Sequence, residues 1–332
     1  MRLTHFAAAL IFTAALAAQN PTLVTLEVDV TNGIGYEQDV FEYVKYGTDP
    51  NPIPRQAPSR GFGSFIQIYD VVAVNSRPVK GNLVFRSTRL GLTPNAQPGQ
   101  NPATAIADIE RGTIGQWHME ILQVNGTAIG TFMAVGFPNG APPPGAPTMA
   151  STHNMAIVGG TGAFLGARGY LGMAAQPFSV PNSGVFRVLS YQSDPANRRT
   201  LNGGTFGVVV QFASLLQPVV REVLHLDFTP VTVAKPARKG ETLMMRASGL
   251  GPVRGAVLDK PFPVDPLAVV NSPLDVTVAG KVSLLSNQIG WPGQVDIYRI
   301  DFSVPDSVPS GQAVVRLTSA WVPAAEVQIP IE

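Results

Sequence analysis

The side chains able to do acid–base or nucleophilic chemistry are few and scattered. There are four histidines, His5, His118, His153 and His225, and no cysteine. No His-x-x-x-His pair and no Gly-x-Ser-x-Gly elbow occurs, so neither a zinc site nor a nucleophilic triad is spelled out locally, and either would need partners assembled by the fold. The lack of cysteine excludes disulfides, a cysteine-attached lipid anchor and thiol catalysis. Glu42 and His153 are the two catalytic candidates. In an apolar cavity a carboxyl at position 42 would have its pKa raised by desolvation and would serve as acid, base or cation stabiliser. On an ordinary strand it would be a solvated or salt-bridged carboxylate. His153, between Thr152 and Asn154, either lines a pocket or belongs to a polar surface. Asp70 and Arg168 are candidates for ligand contact or for a structural ion pair. Trp117 is a candidate ligand platform or core residue, and Glu120 reads as an outward-facing strand residue.

The run Ala156-Ile157-Val158-Gly159-Gly160-Thr161-Gly162-Ala163-Phe164-Leu165-Gly166 looks at first like a nucleotide-binding loop. A pyrophosphate site needs those glycines to open a helix whose N-terminal amides face the anion. Here Gly169, Gly172, Pro177 and Pro181 follow within twenty residues, and glycine and proline are the worst helix formers. Gly159, Gly160 and Gly162 are therefore expected to make a tight, positive-φ turn between two strands, with Phe164 returning to the core.

The elements that must position these residues are strands. Charged residues make up 14% of the chain, against about 25% in an average soluble protein, while 33 glycines and 30 prolines punctuate it. Net charge is +1 with no basic run, which argues against nucleic acid and anionic membrane surfaces as partners. Thr22 to Thr31 alternates, with Val24, Leu26, Val28 and Val30 on one side and Asn32-Gly33 closing the run. Gln116 to Phe137 reads as a hairpin around Asn125-Gly126, the pair favoured in a two-residue type I′ turn. Further strands are expected at 62–74, 79–86, 152–158, 183–191 and 205–213, about eight in all, which suits a small closed barrel. Two Pro/Gly-rich loops, Gly91 to Ala105 and Pro138 to Ala150, are too long for simple turns and are either covers of a binding mouth or plain surface insertions. After a connection at 215–229, short β-rich runs from 230 to 332 suit an immunoglobulin-like sandwich. The fold class expected is thus all-β, an eight-stranded antiparallel β-barrel over 22–214 followed by that sandwich. At the N-terminus, Arg2, the apolar run Phe6 to Leu16 and Ala15-Leu16-Ala17 form an export signal over 1–17. The run is far short of the ~20 residues that span a bilayer, so no membrane span is expected and the mature chain is placed in the periplasm, at the cell surface or outside the cell.

His153 to Tyr170, reading His-Asn-Met-Ala-Ile-Val-Gly-Gly-Thr-Gly-Ala-Phe-Leu-Gly-Ala-Arg-Gly-Tyr, resembles the signature of plant dirigent proteins and allene oxide cyclases. Weaker echoes lie at Val40-Phe41-Glu42 and Ile68-Tyr69-Asp70. The resemblance implies an eight-stranded antiparallel barrel, often trimeric, with a ligand cavity inside. It also implies stereoselective coupling or cyclisation of a hydrophobic or phenolic small molecule, with no cofactor. Glu42 falls where the cyclases have a cavity glutamate, and His153 where dirigent proteins have an arginine. Tyr43, Tyr69, Asp70, Arg168 and Trp117 would contact ligand. The family aspartate seven residues before His153 is Ala146 here, and the asparagine two residues after the glutamate is Val44, so the plant reactions do not carry over residue by residue. The alternative is a non-catalytic envelope or adhesion module. Pro230-Val231-Thr232, Lys235-Pro236-Ala237, Gly249-Leu250-Gly251-Pro252 and Val270-Asn271-Ser272-Pro273 resemble an Ig-like C-terminal domain of secreted Acidobacteria proteins, which implies an exported bacterial protein with an accessory module.

Overall fold

The computed structural model describes residues 23–39, 61–91, 111–136, 152–174, 176–182, 185–190, 199–202, 204–257 and 259–332. All the regular structure among them is β. The first eleven strands are β1 (Val24–Asp39), β2 (Gly61–Val74), β3 (Arg77–Pro78), β4 (Lys80–Gly91), β5 (Arg111–Leu122), β6 (Ala128–Gly136), β7 (Thr152–Gly162), β8 (Arg168–Ala174), β9 (Val185–Ser190), β10 (Arg199–Asn202) and β11 (Phe206–Ala213). Strands β1, β2, β4, β5, β6, β7, β8 and β11 form an antiparallel meander that closes because β1 pairs with both β2 and β11. Closure removes the unpaired edges that invite aggregation. A row of paired residues leaves β1 at Gly35, passes Gln67, Phe85, Trp117, Ala134, Ile157, Gly169 and Phe212, and returns to β1 at Val24. That stagger tilts the strands, as an eight-stranded closure requires.

The alternation read from the sequence holds in β1, whose Val24, Leu26, Val28 and Val30 are buried in the barrel. Asn32-Gly33 does not close the strand. Asn32 takes φ +56 and its amide donates to Asp70 Oδ2 at 2.7 Å, so the pair bulges the strand, which runs on to Asp39. Beyond the bulge β1 changes neighbour on one side: Val24 to Val30 pair with β11, and Ile34 to Glu37 pair in parallel with β9, which pairs in turn with β10. The β5–β6 hairpin also differs in detail from a two-residue turn. Gln123 and Thr127 enclose three residues, and Gly126 alone of these takes a positive φ, +86. A three-residue loop with a left-handed third position is the next commonest hairpin solution.

The second unit contains β12 (Val219–His225), β13 (Thr242–Ser248), β14 (Val253–Arg254), β15 (Val269–Val270), β16 (Leu274–Val278), β17 (Lys281–Val282), β18 (Leu285–Gly290), β19 (Tyr298–Ser303), β20 (Gly311–Ser319), β21 (Val322–Pro323) and β22 (Val327–Ile331). A sheet in the order β12-β13-β19-β18-β15-β14 faces one built on β17-β16-β20-β21, with β22 beside β20. Inward residues such as Leu243, Met245, Ile300, Phe302, Val276, Val315 and Leu317 form the common core, as in a two-sheet sandwich. The segment 215–229, read as a connection, contributes β12 to this sandwich through six residue pairs with β13.

The two units meet at the barrel end that carries the tight turns. Ala320 and Val322, at the β20–β21 turn, belong to the barrel's own apolar cluster, and Trp321 packs against it. Gln123 Nε2 donates to Asn271 O, and Arg77 Nη1 pairs with Asp275 Oδ2 at 3.0 Å. Leu215 N donates to Leu165 O at 3.2 Å, which ties the chain between the units to the β7–β8 turn.

Candidate functional site

The barrel is polar along its axis. At one end the connections are short: 75–79 between β2 and β4, 123–127 between β5 and β6, and 163–167 between β7 and β8. At the opposite end β1, β4, β6 and β8 finish and β2, β5, β7 and β11 begin, joined by the long stretches 40–60, 92–110, 137–151 and 175–205. The two Pro/Gly-rich loops singled out in the sequence both join strands at this end, where a rigid scaffold typically presents its variable, functional segments.

The interior follows the same polarity. Towards the short-turn end it is filled: Phe132 stacks on Phe164 with ring centroids 4.2 Å apart, and Phe212 meets both edge-on at 4.9 and 5.7 Å. Leu26, Leu83, Met119, Ile121 and Ile129 are fully enclosed around them. Towards the long-loop end small or polar residues enter the inward rows, alongside Phe65, the β2 partner of Ser87. Gly35 pairs with Gln67, Gln67 with Phe85, Ser87 with Gly115, and Gly115 with Gly136, and partners directly opposite share a face. Glycine and serine at these inward positions are smaller than the phenylalanine and leucine that fill the other end.

Tyr69 sits where these regimes meet. Its ring lies 4.7 Å from Phe206, edge-on, and 5.9 Å from Phe186, stacked. Both partners enter at the place where β1 exchanges β11 for β9. Gly33 makes the arrangement possible, since a Cβ there would lie 2.3 Å from the Tyr69 ring and 2.6 Å from Phe186. Burial pushes the Tyr69 phenol well above its ordinary pKa, so it remains a neutral O–H able to donate a hydrogen bond and unable to serve as a base near neutrality.

The other candidates are distributed around this interior. Trp117 is buried and faces inward, edge-on to Phe85 at 5.6 Å. His153 lies in β7, two residues before the inward Met155, close to the long-loop end. Glu42 and Tyr43 lie outside the described residues, three and four positions past the end of β1. Asp70 is on the outer wall, accepting from Asn32, and Arg168 is exposed, its guanidinium donating to Ala167 O at 2.9 Å. Glu120 is half-buried and accepts from Asn82 Nδ2 at 3.0 Å. Gly159 and Gly160 lie within β7 and Gly162 ends it at φ +61. The turn proper follows at 163–166, and it delivers Phe164 to the core. No helix opens at these glycines. His118 is exposed on β5 and His225 belongs to the second unit, and no cluster of three metal-ligating side chains occurs among the described residues.

Sequence reading does not single out Phe186, Phe206 or Gln67. Phe206 has a detectable signal, the alternation of β11 with Val208, Val210 and Phe212. Phe186 has none, because its place depends on the parallel pairing of β9 with the far half of β1.

One buried carboxylate braces the rim. Asp29, on the outer side of β1 yet only 1% exposed, accepts the backbone N–H groups of Phe178 at 2.6 Å and Ser179 at 2.9 Å, and the Ser179 hydroxyl. It pins residues 176–182 to the wall, while the Phe178 ring fills the space a Cβ on Gly207 would need.

No protein-family model and no curated protein matches the chain. Among solved structures it is similar to a polysaccharide lyase, at 6% identity over 80% of this chain and 34% of the lyase, with a TM-score of 0.18. It is also similar to the N-terminal domain of a Streptococcus gordonii adhesin, at 11% identity over 95% of this chain and 93% of that domain, with a TM-score of 0.19. The chain spans about a third of the lyase's length. TM-scores this low carry no argument about fold or activity.

Proposed function

We propose that the barrel binds a hydrophobic or phenolic small molecule through its long-loop end, with the sandwich serving as floor and carrier. The observation that carries this reading is the change in the barrel's inward residues, from close-packed phenylalanine and leucine at one end to Gly35, Gln67, Ser87 and Gly115 at the other. A pocket that is mostly apolar with a few polar groups is the usual make-up of a small-molecule site. Tyr69, Phe206, Phe186 and Trp117 would provide the aromatic wall and Gln67 an orienting amide. Glu42 and His153, carried over by resemblance, would supply charge if the bound molecule is steered through a cyclisation or coupling. The export pattern at 1–17 supports a periplasmic, cell-surface or extracellular location, and no helix among the described residues is long and apolar enough to cross a membrane. Exposed Tyr36, Ile66 and Ile68 on the outer wall support self-association, as the homotrimer or another oligomer, which sedimentation of the full chain tests.

The binding experiment uses native mass spectrometry and fluorescence titration of the full chain with phenolic radical precursors and fatty-acid epoxides. The expected result is saturable binding that Gly35→Leu blocks and Tyr69→Ala weakens at least about tenfold, the scale of losing a packed aromatic contact. Binding unaffected by both substitutions, or absent throughout, would refute the pocket. Racemic product at the uncatalysed rate would leave binding as the whole function, and loss of turnover in Glu42→Gln would support catalysis.

A further inference from the structure

The outer face of the six-stranded sheet holds side chains that neither the barrel nor the sandwich core uses. Cross-strand pairing aligns the half-buried Glu222, Arg246 and Arg299 in one row and Met244, Asp301 and Asn287 in the next, where Met244 and Asp301 are buried. The charges are matched. Arg246 pairs with Glu222, the Arg299 guanidinium donates twice to Asp301 at 2.9 Å, and Asn287 Nδ2 donates to the same carboxylate at 3.2 Å. The face is therefore close to neutral yet dense in planar donors and acceptors. Trp291 joins it with the Arg246 guanidinium 5.3 Å above its ring, and Phe228 follows with its ring centroid 6.2 Å from that of Trp291. The Nε–H of Arg246 is buried without a partner.

Phe228 is the residue that folding does not explain. It is the third residue of a hairpin loop in which His225 N donates to Thr229 O, Phe228 N to His225 O, and Thr229 N to Asp227 Oδ1. The β5–β6 loop has the same three bonds, from Gln123 N to Thr127 O, Gly126 N to Gln123 O, and Thr127 N to Asn125 Oδ1. In both loops the third residue is left-handed, at φ +86 for Gly126 and +66 for Phe228. Glycine suits that conformation and a bulky aromatic is strained in it. Burial does not compensate, since Phe228 is 57% exposed. Backbone strain held at an exposed aromatic marks a functional surface.

We infer that this face binds a neutral polysaccharide. The apolar face of a pyranose ring stacks on Phe228 and Trp291, while its hydroxyls accept hydrogen bonds from the guanidinium and amide groups of the adjoining rows and donate to the Glu222 carboxylate. The matched charges make a polyanion the wrong ligand, because it would have to break existing ion pairs to gain new ones.

The full chain is run in native gels containing hydroxyethylcellulose, xylan or galactomannan, with polygalacturonate as the acidic comparison. The expected result is retardation by at least one neutral glycan, undiminished at raised salt, with affinity falling at least tenfold in Trp291→Ala and in Phe228→Gly. Phe228→Gly also separates binding from folding: its melting temperature is expected to equal or exceed that of the parent chain, since glycine relieves the strain. Normal mobility in every neutral glycan would overturn the inference, as would retardation by polygalacturonate alone or undiminished binding by Phe228→Gly.

Discussion

The three glycines that dominate the sequence motif should respond to alanine in opposite ways. Gly159 is extended, and a Cβ there would meet the mobile end of Met133 at 3.2 Å and Arg168 Nη1 at 3.9 Å. Alanine fits once the methionine tip yields, and lowering the entropy of the unfolded chain then stabilises by about 0.4–1 kcal/mol. At Gly160 the new atom would lie 2.2 Å from Phe164 O and 2.9 Å from Thr131 O. Both are backbone, so the close-packed β7–β8 turn has to move by roughly 1 Å, an overpacking cost of about 3 kcal/mol. Gly162 combines a contact of 2.4 Å to Ile129 O with φ +61, which adds about 1 kcal/mol of left-handed strain. Gly159→Ala and Gly160→Ala should therefore differ by roughly 4 kcal/mol, or about 2 M in urea midpoint for a slope near 2 kcal/mol/M. Urea titration of the full chain, followed by far-UV circular dichroism and tryptophan emission, measures the gap. Coincident midpoints for the two variants would refute the claim that Gly160 is held by close backbone approach and Gly159 is not.

Asp29→Ala strips the carboxylate from three donors and leaves two backbone N–H groups without their acceptor; the expected loss is about 2–4 kcal/mol, with early proteolytic cleavage near 176–182 as the diagnostic in limited digestion. Unchanged cleavage would show that this segment is held by other means. Alkaline titration gives a third check. The phenols of Tyr69 and Tyr298 have raised pKa values because they are buried, so the folded state keeps protons that the unfolded state releases above its ordinary tyrosine pKa. Their contribution is intact below about pH 10 and is lost as pH rises beyond it. Stability measured by urea at pH 9 and pH 11 should fall at the higher pH, and less steeply in Tyr69→Phe.

The barrel was legible because its strands obey local rules. Val24 to Val30 alternate and are buried, and Trp117, Met119 and Ile121 share the inner face opposite Gln116 and His118. Rejection of a nucleotide loop was equally local, since glycine and proline spacing forbids the helix such a loop must open. What local rules could not carry was the change of neighbour in β1. Asn32-Gly33 has the chemistry of a strand end, and only the Asn32–Asp70 hydrogen bond and the seating of Tyr69 against Gly33 turn it into a bulge. The same limit hid Phe186. Tyr69 could be named from its sequence neighbours, but its partners come from segments more than 100 residues away. In the second unit, Val219 to His225 lay under what read as a connection because their burial depends on pairing with β13.

The β20–β21 turn, where Ala320 and Trp321 both adopt left-handed backbone at φ +46 and +64, plugs the base of the barrel. A barrel whose base is closed by the adjoining unit loses that closure when the two are separated. Separation near residue 215 would leave the barrel's apolar cluster uncovered at its base and Ala320, Trp321 and Val322 facing water. The two units are thus coupled in stability through this turn. Substitutions that loosen Trp321 should then be felt first in how firmly the barrel, not the sandwich, holds its shape.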